Sequence, residues 1–83
     1  MITVEVIWED AHVSTSDMSI KKAEKQKAVL TSTVAYLVAE NEHGVVLATD
    51  AYPDDPKNVK IINFIPHGCI VEMWEWEDVN EDI

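Results

Sequence analysis

The chain has 83 residues, 47% of them apolar, with 16 acids against six lysines and no arginine, for a formal net charge of −10. That length sets one domain with a thin core, and the apolar fraction excludes a disordered chain. The acidity and the missing arginine argue against direct binding of nucleic acid or an anionic membrane, because too few cations are present to neutralise phosphates.

No apolar run approaches the roughly 20 residues of a membrane span. The opening "MITVEVIWED" lacks a basic n-region and does not read as a signal peptide. One cysteine, Cys69, cannot form an internal disulfide, and a reducing cytoplasm is the expected setting. Charge is segregated: Lys21, Lys22, Lys25 and Lys27 hold four of the six positives, whereas residues 71–83 carry six acids and no base.

In chain order, residues 2–8 alternate, with Ile2, Val4, Val6 and Trp8 on one face, and predict strand one. Residues 9–19 are polar and predict a loop. Residues 17–28 predict a turn or two of helix capped by Asp17 or Ser19. Residues 28–41, rich in β-branched side chains, predict strand two. Gly44 closes a turn over 40–44 and is expected to supply a positive φ there. Residues 45–52 predict strand three, 53–58 a Pro- and Asp-rich turn, 59–65 strand four, 66–68 a tight turn, and 69–76 strand five.

The expected fold is therefore mainly β: a five-stranded SH3-like or Sm-like barrel over residues 1–76, with a long first loop holding a short helix, and an acidic tail over 77–83. A short helix on an open antiparallel sheet is the alternative. Strands four and five are apolar on both faces. Ile61 and Ile65 lie opposite Ile62 and Phe64, and Val71 and Met73 opposite Ile70, Trp74 and Trp76. A monomer solvates one such face, so a homo-oligomer is expected, unless segment 17–27 covers the face.

"VIWEDAH", then "VLTSTVAYLVAENEHGVVLATDAY", then "FIPHGCIVEM" resemble a group of small tailed-bacteriophage proteins. The group carries a strand ending in W-x-D-A-H (here Trp8, Asp10, Ala11, His12), a strand with Val34, Tyr36 and Leu37, a "VVLA" strand (Val45–Ala48), and a closing I-P-x-x-x-I (Ile65, Pro66, Ile70). The likeness runs from Thr3 to Met73. It implies a phage source, a place in the cytoplasm of an infected cell and a small barrel, rather than an activity. The group often has a second Trp late in the first loop, where this chain has Met18.

No catalytic set is read from the residues. Asp10 and His12, two apart with Glu9 beside them, are a candidate carboxylate–imidazole pair or part of a metal site, against a loop-anchoring role. The sequence has no H-E-x-x-H, Cys pair or Gly-rich phosphate loop, so no metal or cofactor is expected. Cys69 reads as a structural thiol, despite His67 two residues away. The aromatics Trp8, Tyr36, Trp74 and Trp76 are expected to approach one another where the first and last strands meet, as core or as a binding surface.

Three functional readings follow. The first is a non-enzymatic, self-associating accessory protein acting on a host protein or defence system. The second is sequestration of a nucleotide-like molecule at subunit junctions. The third is an enzyme with His12 and Asp10 as acid–base residues, and a structural virion component stands as a further alternative.

Overall fold

The computed structural model describes residues 1–76; the acidic tail expected over 77–83 lies outside the described residues. Five antiparallel strands form one sheet: β1 (Thr3–Asp10), β2 (Val29–Glu40), β3 (Gly44–Tyr52), β4 (Asp55–Pro66) and β5 (Ile70–Glu75). Their order is β4-β3-β2-β1-β5. Helix α1 (Ile20–Ala23) sits in the long first loop, and a 3₁₀ turn, η1 (His67–Cys69), joins β4 to β5. The mainly β expectation holds. Closure into a barrel does not, since β4 and β5 are edges of an open sheet.

Register explains where the core sits. β1 pairs along its whole length with β2, from Thr3↔Tyr36 to Asp10↔Val29, and on its other side with β5. β2 meets β3 only over Tyr36–Glu40, whereas β3 and β4 pair from Gly44↔Pro66 to Tyr52↔Asp55. All strands therefore overlap only in the middle of the sheet, and two-stranded arms extend beyond it. The core gathers there: Val4, Val6, Ala35, Val45, Leu47 and Ile65 are buried, with Trp8, Leu37, Cys69, Ile70 and Met73 packed against them. A two-stranded ribbon is marginal alone, so both arms depend on that central overlap.

The corner between β4 and β5 is tied to the β2–β3 turn. Asn41 Oδ1 accepts from the His43 and Gly44 backbone N–H groups at 2.8 and 3.2 Å, an Asx-type turn. The His67 ring donates from Nε2 to the Asn41 carbonyl at 2.6 Å, and its backbone N–H donates to the His43 carbonyl at 3.2 Å. Gly44 does not adopt the expected positive φ. It is needed for close approach instead: a Cβ there would overlap the Ile65 carbonyl and lie 2.9 Å from Phe64 Cζ.

Several local expectations are corrected. A two-residue turn, Pro53–Asp54, replaces the longer turn expected over 53–58, and β4 begins at Asp55. Pro56 is tolerated because β4 is an edge strand and the residue falls at the register shift between the Tyr52↔Asp55 and Ala51↔Val59 pairs. A register shift between Ile7 and Trp8 changes which β5 residues face inward. Ile70 pairs with Trp8 and packs on the core, while Val71 is exposed, the reverse of simple alternation. The helix, by contrast, is the single turn expected, and of the two candidate caps it uses Ser19, whose Oγ accepts from the Lys22 N–H at 3.1 Å.

Ile61 has a φ of +60°, between the Ala48↔Ile62 and Asp50↔Lys60 pairs. A β-branched residue is strained in the left-handed region, at a cost of about 1–3 kcal/mol. Its side chain is exposed and recovers little by burial. Asn tolerates this conformation. Ile61→Asn is therefore expected to stabilise the fold by about 1 kcal/mol, seen as a higher urea midpoint with unchanged slope.

Candidate interaction surface

Period-two alternation sends one half of each strand's side chains to the core and the other half to the opposite, outer face of the sheet. On β1 the inward set is Val4, Val6 and Trp8, which leaves Thr3, Glu5 and Ile7 outside. The register carries that face across the sheet. One row runs Ile62↔Ala48↔Tyr36↔Thr3, and the Trp76 N–H donates to the Thr3 carbonyl at its far end (2.9 Å). The next rows hold Val34↔Glu5↔Trp74 and, on the other side of the sheet, Val46↔Phe64.

This face is apolar and open to solvent. Val34 is 48% exposed, Ile62 51%, Phe64 50%, Trp74 40% and Trp76 54%. Large side chains that stay half-exposed in cross-strand register form a continuous patch, unlike apolar residues scattered singly. Two carboxylates stand within it: Glu72 pairs opposite Ile7, and Glu5 accepts from the Ser32 hydroxyl at 2.7 Å. The β1–β5 half of the face is thus aromatic and acidic. The β3–β4 half holds Val46, Ile62 and Phe64, with the exposed Asp50↔Lys60 pair in the same phase one row further along.

Segment 17–27 does not cover this face. Apart from half-buried Met18 its residues are exposed, and α1 contributes no buried side chain. Ile20 is 79% exposed, and Val13, earlier in the same loop, 87%.

The aromatic set expected to gather is divided between the two faces. Trp8 lies inward, packed on the core, and its Nε1–H donates to Thr33 Oγ1 at 3.0 Å. Tyr36, Trp74 and Trp76 lie along the outer rows. Val34, Ile62 and Phe64 complete that surface and were not among the expected site residues. Their signal was the outward phase they share with Tyr36 and Trp74.

Asp10 and His12 do not form a pair. Asp10 ends β1 opposite Val29, while the exposed His12 ring donates from Nε2 to the Lys27 carbonyl at 2.9 Å. That bond pins together the two ends of the 11–28 loop. Among the described residues, no three His, Cys, Asp or Glu side chains cluster in a way that would hold a metal ion. Cys69 is half-buried against the core, and the His67 ring is committed to Asn41 rather than to the thiol. An open cavity of about 580 Å³ lies within the loop, walled by His12, Met18, Ala23, Gln26 and Lys27.

Among the described residues no helix is long and apolar enough to cross a membrane. Compared with protein-family models, curated proteins and solved structures, the chain matches none.

The division of the tryptophans has a measurable consequence. Trp8→Ala is expected to cost about 3 kcal/mol, since it removes core packing and leaves Thr33 without its donor. Trp74→Ala and Trp76→Ala, on the exposed face, are expected to cost less than about 1 kcal/mol each. Urea unfolding of the three variants compares them directly.

Proposed function

We propose that this chain is a non-enzymatic binding protein that associates with itself and presents its outer sheet face to macromolecular partners. The observation that carries this reading is the open apolar patch of Val34, Ile62, Phe64, Trp74 and Trp76, aligned across the sheet by register. A soluble chain gains by covering such a patch, and a symmetric assembly is the commonest way to do so. Trp and Tyr, here Tyr36 on the central strand β2 and Trp74 on the edge strand β5, are residues favoured where binding energy concentrates.

The sequence resemblance supports a phage accessory protein acting in the infected cell, on a host protein or a host defence system. β5 returns beside β1 after a 3₁₀ turn, an order in keeping with an SH3-like or Sm-like small barrel that curls without closing. Acidic charge steers the molecule toward basic partners rather than toward nucleic acid.

Light scattering on a size-exclusion column is expected to give a mass above the 9.4 kDa of one chain. Val34→Asp with Trp74→Asp is expected to reduce it to one chain while far-ultraviolet circular dichroism stays unchanged. A wild-type protein that remains a single chain at high concentration refutes the self-association. A photo-crosslinking residue at Phe64 tests the partner reading, which requires an adduct in infected cells heavier than the self-adduct.

The loop cavity favours a second reading, capture of a small anion with an apolar body, since Lys27 and His12 stand beside Met18 and Ala23. Nucleotides at saturating concentration should then raise the melting temperature, and Lys27→Ala should abolish the rise. No shift with any nucleotide removes this reading.

A further inference from the structure

The 11–28 loop and the β1–β5 half of the outer face are two uncovered surfaces of opposite character. The loop presents Val13 and Ile20, at 87% and 79% exposure, with Lys21, Lys22 and Lys25 around α1. None of these five residues lines the loop cavity, so they face away from it. The β1–β5 half presents Trp74 and Trp76 with Glu5 and Glu72. The loop, with four lysines against Asp17 and Glu24 for a net +2, thus complements aromatics that stand beside two carboxylates, and a lysine stem and ammonium both pack well on an indole.

The loop does not reach this surface within its own chain. It leaves the sheet at Asp10, whereas Trp74 pairs at Glu5 and Trp76 bonds at Thr3. That places the aromatics about 17–24 Å along β1 from the root of the loop, at about 3.4 Å per residue. Stacking two outer faces directly is also disfavoured, because it brings the Glu5 and Glu72 carboxylates of both copies together in a chain that already carries −10.

We propose that the 11–28 loop of a second copy seats on the β1–β5 half of the outer face, with lysines 21, 22 and 25 against Glu5 and Glu72 and with Val13 and Ile20 against Trp74 and Trp76. Exchange of the two loops about a twofold axis uses both surfaces of both copies and closes the assembly at a dimer. This rests on the self-association proposed above and names the contact that makes it. The β3–β4 half, with Ile62 and Phe64, stays open for a different partner.

The test is a charge swap on the full chain. One variant carries Lys21→Glu, Lys22→Glu and Lys25→Glu, and the other carries Glu5→Lys and Glu72→Lys. Circular dichroism checks that each is folded. Each alone is expected to dimerise at least about tenfold more weakly than wild type, and an equal mixture to recover a heterodimer in analytical ultracentrifugation. Raising salt from about 0.1 M to about 1 M shortens the Debye length from ~10 to ~3 Å and should weaken the wild-type dimer.

A wild-type dimer that ignores both sets of charges, or tightens with salt, overturns the loop contact and leaves self-association standing. Two weakened variants that fail to recover on mixing also overturn it. A wild-type protein that is a single chain under all conditions overturns both proposals.

Discussion

β1 is bonded along both edges, and the rest of the molecule depends on that double pairing. Val4 and Val6 are fully buried because β2 lies on one side of them and β5 on the other, with Ile65 and Val45 closing over the core. β5 is six residues long and pairs with β1 alone. It holds its place through that one ladder, the tethered corner at Asn41 and His67, and the packing of Ile70 and Met73. A substitution that shortened or charged Val6 would therefore release a whole strand as well as a side chain.

The same economy explains the apolar outer face. The inner face uses small and medium side chains, the largest of them fully buried being Leu47 and Ile65, while its tryptophan, Trp8, is only partly buried. An open sheet with one thin core has nothing left to cover the other side. The two edges are treated differently. β4 carries Pro56, Pro66, Lys57 and Lys60 and the left-handed backbone of Ile61, features that discourage another strand from pairing there. The exposed hydrocarbon lies instead on the face beside them, which favours side-chain packing over strand addition as the mode of contact.

The strands were legible because alternation is a property of neighbours in sequence. Ile2–Trp8 shows it directly, Val29–Glu40 was read from its β-branched content, and the return of the last strand beside the first was readable from their order. What was not legible depends on the ladder. The shift at Ile7/Trp8, which turns Ile70 in and Val71 out, is set by how two distant strands accommodate each other. The two-residue turn at Pro53–Asp54 and the φ of Ile61 are likewise settled by pairing with β3. Gly44 was noticed as a turn glycine, but its actual constraint, the nearby Ile65 carbonyl, belongs to tertiary packing. For the candidate site, the tryptophans were visible as a group in the sequence, while their separation onto two faces followed only once Trp8 was bonded to Thr33.

Charge segregation adds a constraint that packing does not. At −10, any assembly that brings like surfaces together works against its own field, and the penalty grows as the charges lose solvent. The six lysines are too few to offset the acids over the whole surface, yet four of them fall within seven residues of one protruding loop. That loop has an exposed apolar residue on either side of its half-buried Met18 and no core of its own. Loops longer than about 12–15 residues are uncommon in a compact domain and are usually functional or unstructured. An 18-residue excursion pinned at its base by His12 and Lys27, carrying most of the positive charge of an acidic protein, is the element on which the proposed contact rests.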